Sequence, residues 1–174
     1  MNGPLTGFRV LDLTTMVSGP VATMMLGDQG ADVIKIEPID GEYMRKAGVK
    51  HRGMPNGFLS CNRSKRSLSI NLKSEEGVVA VKRLLANTDV LVQNFRPGAI
   101  ERMGLGEAVA REIRPDIIFV SISGFGEKGP YSHQRVYDPI IQALSGLADI
   151  QRDKDSGKPK MVRTIIPDKT TSVT

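Results

Sequence analysis

The chain has 174 residues, of which 40% are hydrophobic and 25% charged, and these values are typical of one soluble domain with a sizeable core. No apolar run approaches the roughly 20 residues that span a bilayer, which excludes a transmembrane protein. The formal net charge of +5 suggests an anionic partner. Aromatic residues make up only 5% and no basic stripe alternates with them, which argues against nucleic acid and favours a phosphorylated small molecule.

The first predicted elements alternate between strand and helix. Residues 8–13 are a short β-rich run and predict the first strand. Gly19-Pro20 then opens a helix, with Pro at a first helical position and Gly30 as a stop signal. Residues 32–37 predict the second strand. The long irregular segment 38–56 exceeds what a connector needs and therefore indicates a functional loop.

The remaining chain continues the alternation. Further strands are predicted at residues 67–71, 89–92 and 116–122. Helices are predicted after the N-cap Ser74, across 98–114 and across 138–147. Such a succession is the pattern of an α/β fold with a parallel sheet covered on both faces.

Ligands bind beyond the carboxyl ends of the strands in such a sheet, so the segments after the strands form the candidate site. These segments are residues 14–18, 37–45, 94–98, 123–126 and Asp168. The apolar run VRTII precedes Asp168, which predicts a carboxylate at the mouth of one more strand. Taken by itself, Asp168 fits a functional carboxylate and the N-cap of a following helix equally well.

Three other kinds of site fit the sequence less well. Glu37 ends the second strand, where a dinucleotide-binding motif has an acid. The turn TTMVSGP lacks the glycines of that motif, which argues against a nicotinamide or flavin site. His51 and His133 lie far apart without metal-ligand spacing, so no metal is predicted. Cys61 is predicted to be a small buried thiol rather than a reactive cysteine, although basic residues lie nearby. One cysteine and no signal peptide fit a cytoplasmic protein.

A set of motifs spread over the whole chain resembles the family III CoA-transferases, the formyl-CoA and carnitine-CoA transferase family. The segments that carry this resemblance are LTGFRVLDLT, SGPVATMMLGDQGADVIKIEP, NRSKRSLSINLK, DVLVQNFRPG, ERMGLG, ISGFGEKGPY, VYDPIIQALSG and PDKTT. The resemblance implies a Rossmann-like α/β domain, of which residues 1–174 would be the N-terminal part. It also implies a longer parent chain, an interlocked homodimer, and a fragment that is incomplete and inactive alone.

The resemblance further implies transfer of CoA between an acyl-CoA and a free carboxylic acid, with Asp168 as nucleophile. Attack by a carboxylate on a thioester gives a mixed anhydride, which is at least as reactive as the thioester. Attack by a serine would give an ester of lower acyl-transfer potential. CoA thiolate would then convert the anhydride into an aspartyl-CoA thioester, which splits one difficult exchange into nearly isoenergetic steps.

By resemblance, the CoA site takes residues that follow several strands. They are Val17, Ser18, Leu72, Lys73, Asn94, Phe95, Arg96, Arg102, Arg135, Val136 and Tyr137. Arg and Lys would bind the phosphates, and Arg45, Lys65 and Arg66 are further candidates for that role. The sequence departs from relatives at Pro38, Gln93, Thr14 and Thr15, which bears on the phosphate contacts and the substrate.

Two alternatives stay open at this stage. The α-methylacyl-CoA racemases of the same superfamily use a His-Asp pair where this chain has Tyr137 and Asp138. A phenol is a much weaker base than an imidazole at neutral pH, which favours the transferase. The second alternative is a non-catalytic CoA-binding fragment. The acyl donor and acceptor are not indicated by the sequence.

Overall fold

Five parallel strands form the central sheet in the computed structural model, which describes residues 3–174. The strands along the chain are β1 (Arg9–Leu13), β2 (Asp32–Glu37), β3 (Lys50–His51), β4 (Met54–Pro55), β5 (Lys65–Ser69), β6 (Val90–Gln93) and β7 (Ile118–Ser121). The sheet has the order β5-β2-β1-β6-β7, while β3 and β4 form a small antiparallel hairpin. This architecture confirms the predicted α/β fold with a parallel sheet.

Eight α-helices connect and cover the strands in this part of the chain. They are α1 (Ser18–Asp28), α2 (Asn56–Asn62), α3 (Glu75–Leu85), α4 (Ala99–Arg102), α5 (Glu107–Ile113), α6 (Asp138–Leu144), α7 (Leu147–Ile150) and α8 (Ile166–Val173). The hydroxyl of Ser74 accepts a hydrogen bond from the backbone N–H of Gly77 at 3.2 Å, so the predicted cap of α3 is confirmed. None of these helices combines the length and the apolar character that a membrane crossing needs.

The two faces of the sheet differ in chemistry because side chains alternate along each strand. Leu11, Leu13, Ile34 and Ile36 face one way and pack with α3, α4 and α5 into the larger apolar core. Val10 and Val33 face the other way and form a smaller cluster with Leu26 of α1. On this second face Asp12 and Lys35 follow the valines, and both are buried. The periodicity therefore predicts the burial of both faces but not the charges on the second one.

Three predicted features differ from the structure. Strand β5 spans Lys65–Ser69, two residues earlier than predicted, because those residues pair with β2 from Val33 to Glu37. Helix α2 occupies a segment that was predicted to be irregular. Asp168 does not lie at the mouth of a strand. It belongs to the first turn of α8, where Pro167 suits the helix start, and the N-cap is Ile165 rather than Asp168.

Candidate functional site

Two neighbouring cavities open along the carboxyl edge of the sheet. The larger has a volume of about 1170 Å³ and lies between the ends of β1, β2 and β5 and helices α3 and α4. The smaller has a volume of about 450 Å³ and lies between the end of β6, the start of α1, the segment before α6 and the start of α8. Thr15 and Phe95 line both cavities. The two spaces therefore meet at these residues.

The larger cavity combines apolar walls with a basic rim. Leu13, Ile36, Ile70, Val78 and Val79 contribute apolar surface. Lys73, Lys82 and Arg102 line the same space, and none of the three forms an ion pair with any residue in the range 3–174. A cavity of this size with unpaired cations suits a long ligand that carries both apolar and anionic groups.

The smaller cavity contains Asp168, whose position depends on a hydrogen-bonded pair in α6. The backbone N–H of Asp168 donates to Oδ2 of Asp138 at 3.2 Å, and Nε2 of Gln142 donates to Oδ1 of Asp138 at 2.6 Å. Gln142 also binds the preceding segment through the Thr164 carbonyl and the Val162 N–H, at 3.1 and 2.9 Å. Asp138 and Gln142 are both buried, so they fix the entry of the chain into α8.

The Asp168 carboxyl ionises less readily than an ordinary aspartate. Burial raises its pKa, and the nearby carboxylate of Asp138 raises it further. The structure thus combines a partly buried carboxyl with a cavity wall, and a poorly solvated carboxylate is well suited to attack an electrophilic carbon.

The residues proposed for CoA divide between the two cavities. Leu72, Lys73, Phe95 and Arg102 line the larger one. The smaller one is lined by Ser18, Asn94, Phe95, Arg96, Arg135, Val136 and Tyr137, together with Asp168. Val17 is the N-cap of α1 and lines neither cavity. Ten of the eleven proposed positions, from five separate segments, therefore come together at one edge of the sheet.

The three additional basic candidates have other roles. Arg45 makes two hydrogen bonds to Glu37 at 2.6 and 2.7 Å and stacks over Phe58. Lys65 is buried against Asp12 at 2.9 Å. Arg66 pairs with Asp32 at 2.7 Å. None of the three lines either cavity, so a phosphate contact by these residues stays a prediction without support from the cavity lining.

Cys61 is buried, and burial raises the pKa of its thiol, as expected for a structural cysteine. Within residues 3–174, no three His, Cys, Asp or Glu side chains gather closely enough to hold a metal ion.

The sequence analysis missed three side chains that shape the smaller cavity or its surroundings. Asp138 was noted only as a helix start and a motif position, and Gln142 was not noted. Glu42 lies in the long loop after β2 and is 2% exposed. A buried acid in a loop rich in polar residues has no periodic signal, because only its tertiary contacts distinguish it from a solvated one.

The chain is similar to proteins of one family over almost all of its length. The family model described as CoA-transferase family III matches residues 5–174. Succinyl-CoA:glutarate CoA-transferase from Mus musculus is 46% identical over 92% of this chain, and formyl-CoA:oxalate CoA-transferase from Streptomyces coelicolor is 40% identical over 97%. The chain spans 38% and 41% of the length of these two relatives.

Solved structures show the same arrangement of elements. A CAIB/BAIF family protein from Brucella suis superposes with a TM-score of 0.92 at 34% identity, covering 99% of this chain and 48% of that one. Rv3272 from Mycobacterium tuberculosis gives the same TM-score, identity and coverage.

Proposed function

This chain belongs to CoA-transferase family III, and on that basis we propose that the intact protein transfers CoA between an acyl-CoA and a free carboxylic acid. The observation that carries the proposal is the position of Asp168, partly buried on a cavity that meets a long, basic-rimmed one. The larger cavity would take the nucleotide and part of the pantetheine arm of CoA. The smaller cavity would take the thioester and the acyl group.

The proposed reaction proceeds in two matched halves. The Asp168 carboxylate attacks the thioester carbonyl, the C–S bond breaks, and CoA leaves as a thiolate while a mixed anhydride forms. The thiolate attacks the aspartyl carbonyl of the anhydride, which releases the donor acid and leaves an aspartyl-CoA thioester. The acceptor carboxylate attacks the aspartyl carbonyl of this thioester, the C–S bond breaks, and CoA leaves again as a thiolate while a second anhydride forms. The thiolate then attacks the acceptor carbonyl, which yields the new acyl-CoA and free Asp168.

The names of the relatives guide the choice of substrates. Those from Mus musculus and Chloroflexus aurantiacus are named for succinyl-CoA with glutarate or L-malate, and the Streptomyces relative for formyl-CoA and oxalate. We propose a short dicarboxylic acid as acceptor and succinyl-CoA as the first donor to test. Arg96 and Arg135 line the smaller cavity without an ion pair in residues 3–174 and supply positive charge for such acids.

Replacement of the nucleophile tests the proposal directly. In the intact protein, Asp168→Asn should abolish exchange between succinyl-CoA and labelled dicarboxylic acids, followed by mass spectrometry. Hydroxylamine added with the acyl-CoA should trap a hydroxamate on Asp168 of the wild type. Lys169→Ala is the matched control, because Lys169 is exposed on the same turn and should change the rate by no more than about 2-fold. An Asp168→Asn protein that kept a substantial exchange rate would contradict the assignment.

A separate incubation tests the racemase alternative. Incubation with a 2-methylacyl-CoA in deuterated water should leave the α-hydrogen in place, because Tyr137 is a weak base and is 66% exposed. Rapid deuterium uptake would favour the racemase. The interlocked homodimer, the cytoplasmic location and the assignment of residues 1–174 to the N-terminal part of a larger domain stay predictions.

A further inference from the structure

The loop between β1 and α1 has an unusual set of partners for its backbone. Three consecutive N–H groups each donate to a different side chain. That of Thr14 donates to Oδ1 of Asp12 at 2.8 Å, and that of Thr15 to Oδ1 of Asn94 at 2.9 Å. The N–H of Met16 donates to Oε2 of Glu42 at 3.1 Å. These acceptors come from β1, from the end of β6 and from the loop after β2, so three parts of the fold hold one short segment.

Two carbonyl groups of the same segment are also bound by side chains. Nζ of Lys35 donates to the Thr14 carbonyl at 2.8 Å, and Nδ2 of Asn94 donates to the Thr15 carbonyl at 2.8 Å. The side-chain amide of Asn94 therefore binds both the N–H and the carbonyl of Thr15. Residues 14–16 consequently have five backbone groups fixed by side chains rather than by regular secondary structure or solvent.

Met16 needs such support because its backbone is strained. Its φ angle is 70°, in the left-handed region that residues other than Gly, Asn and Asp avoid. A single residue held there costs about 1–2 kcal/mol and persists only where the surroundings fix it. Met16 and Thr15 line the smaller cavity together with Asp168. The strained backbone thus forms part of the same wall.

Glu42 is the partner of Met16, and its burial is not explained by stability alone. Its N–H donates to Oε2 of Glu37 at 3.2 Å, which anchors the residue next to the Glu37–Arg45 pair. Its second oxygen, Oε1, is buried without any hydrogen-bond partner among residues 3–174. A buried carboxylate oxygen without a partner destabilises the fold. The other oxygen of Glu42 accepts the Met16 N–H, and this contact with the cavity wall is what the costly burial provides.

We propose that Glu42 is a positioning residue: by accepting the Met16 N–H, it holds residues 15 and 16 in the strained conformation that shapes the cavity wall next to Asp168. This inference rests on the proposed CoA-transfer function. Glu42 lines neither cavity, so it acts through the loop and not on the substrate. A displaced wall would misalign the thioester against the carboxylate, which lowers the rate of the chemical step more than the affinity for acyl-CoA.

Four variants of the intact protein separate this role from a general loss of stability. Glu42→Ala removes the acceptor, and Glu42→Asp keeps the carboxyl group but shortens the reach by one methylene. Glu42→Gln keeps an oxygen that can accept the Met16 N–H. Val81→Ala is the stability control, because Val81 is fully buried in α3 and lines neither cavity.

The expected result is a selective loss of kcat. Glu42→Ala and Glu42→Asp should lower kcat by about 10-fold or more with a change in KM for acyl-CoA below about 3-fold, since a small misplacement acts on the reacting geometry. Glu42→Gln should retain most of the wild-type kcat. Val81→Ala should lower the melting temperature and leave kcat nearly unchanged. Equal losses of kcat in Glu42→Gln and Glu42→Ala, or in Val81→Ala and Glu42→Ala, would overturn the proposal.

Hydrogen exchange tests the positioning role independently of activity. Deuterium uptake in a peptide covering residues 14–18 should rise in Glu42→Ala relative to a peptide covering β1, and should stay near the wild-type level in Glu42→Gln. Unchanged protection in Glu42→Ala would refute the positioning role. If the wild type transferred CoA between no pair of substrates, the proposed function would fail instead. The hydrogen-exchange experiment would still decide the role of Glu42.

Discussion

Asp168, the proposed nucleophile, lies beside a second carboxylate, which adds to the effect of burial on its pKa. Asp138 accepts the Asp168 N–H and is itself buried, so the two acids face a common low-dielectric region. Burial and the charge of Asp138 both raise the pKa of Asp168. Attack on a thioester requires the ionised carboxylate, so the activity should fall on the acid side at a higher pH than an ordinary aspartate would give.

Replacement of Asp138 should move that acid limb. In Asp138→Asn the like charge is lost and the pKa of Asp168 falls, so the limb of kcat/KM shifts to lower pH. The rate on the plateau should also decrease, because an amide offers only one acceptor where Asp138 uses two. Asp155→Asn is the control, since Asp155 is exposed in a distant loop. An acid limb that stayed at the wild-type pH in Asp138→Asn would show that this neighbour does not set the ionisation of the nucleophile.

The helices and strands were predicted from sequence wherever a local signal coincided with burial. Strands β1 and β2 have runs of apolar residues, and α3 has both a cap and an apolar face, so these elements were located closely. Strand β5 was placed two residues too late because it lies at the sheet edge and its side chains are largely exposed. Without a buried face, the hydrophobic pattern does not determine the register, and only the pairing with β2 does.

The candidate site was predicted less completely than the elements. Residues that follow the strands were identified because the topology of a parallel sheet fixes where strand ends meet. Lys65 and Arg66 pair with acids of the chain itself, and charge alone does not distinguish such an intramolecular ion pair from a phosphate contact in the sequence. Glu42 and Gln142 were missed because their function depends on backbone groups that come close only in the folded chain.

Helix α3 contains a glycine whose replacement tests its packing. A Cβ atom at Gly77 would lie 2.0 Å from the carbonyl oxygen of Asn71, which is backbone and cannot move aside. Gly77→Ala should therefore destabilise the protein by about 2 kcal/mol, although alanine favours a helix by about 1 kcal/mol. In Gly57→Ala of α2 the new atom would meet only the flexible end of Met44, at 2.7 Å, so the stability should change little or rise. Thermal unfolding of both variants is the measurement, and equal melting temperatures would contradict the packing argument.

At the scale of the whole molecule, buried ion pairs join strands of the sheet to one another and to the segment after β2. Asp12 binds Lys65 and lies 3.8 Å from Lys35, and Glu37 binds Arg45. Burial opposes ionisation of Glu37, but hydrogen bonds from Arg45 and Ser67 outweigh it and lower the pKa of that carboxyl to about 2. The pKa of Asp12 is also lowered, since Lys35 and Lys65 outweigh its burial. These acids stabilise the fold only while they are ionised.

This network predicts how stability depends on pH. The ordinary pKa of Glu37 is 4.5 and its folded value is about 2, so its contribution is complete above about pH 4.5 and is lost as the pH falls toward 2. Arg45→Met should raise the pKa of Glu37 in the folded state, which lowers the stability at neutral pH. The melting temperature of this variant should then fall less than that of the wild type between pH 4.5 and pH 2. Arg152→Met removes an exposed pair with Asp149 and should leave the profile unchanged. A wild-type slope in Arg45→Met would contradict this account.

The meeting of the two cavities at Thr15 and Phe95 has a consequence for how binding energy can be used. A ligand that fills the larger space and extends past this junction reaches Asp168, so its anchored part and its reacting part are held by different sets of residues. Contacts with the part of the ligand in the larger cavity can then hold the reactive end against the partly buried carboxyl group of Asp168. A thioester without that portion would lose turnover as well as affinity, because the attachment far from the chemistry is what forces the two reacting groups together.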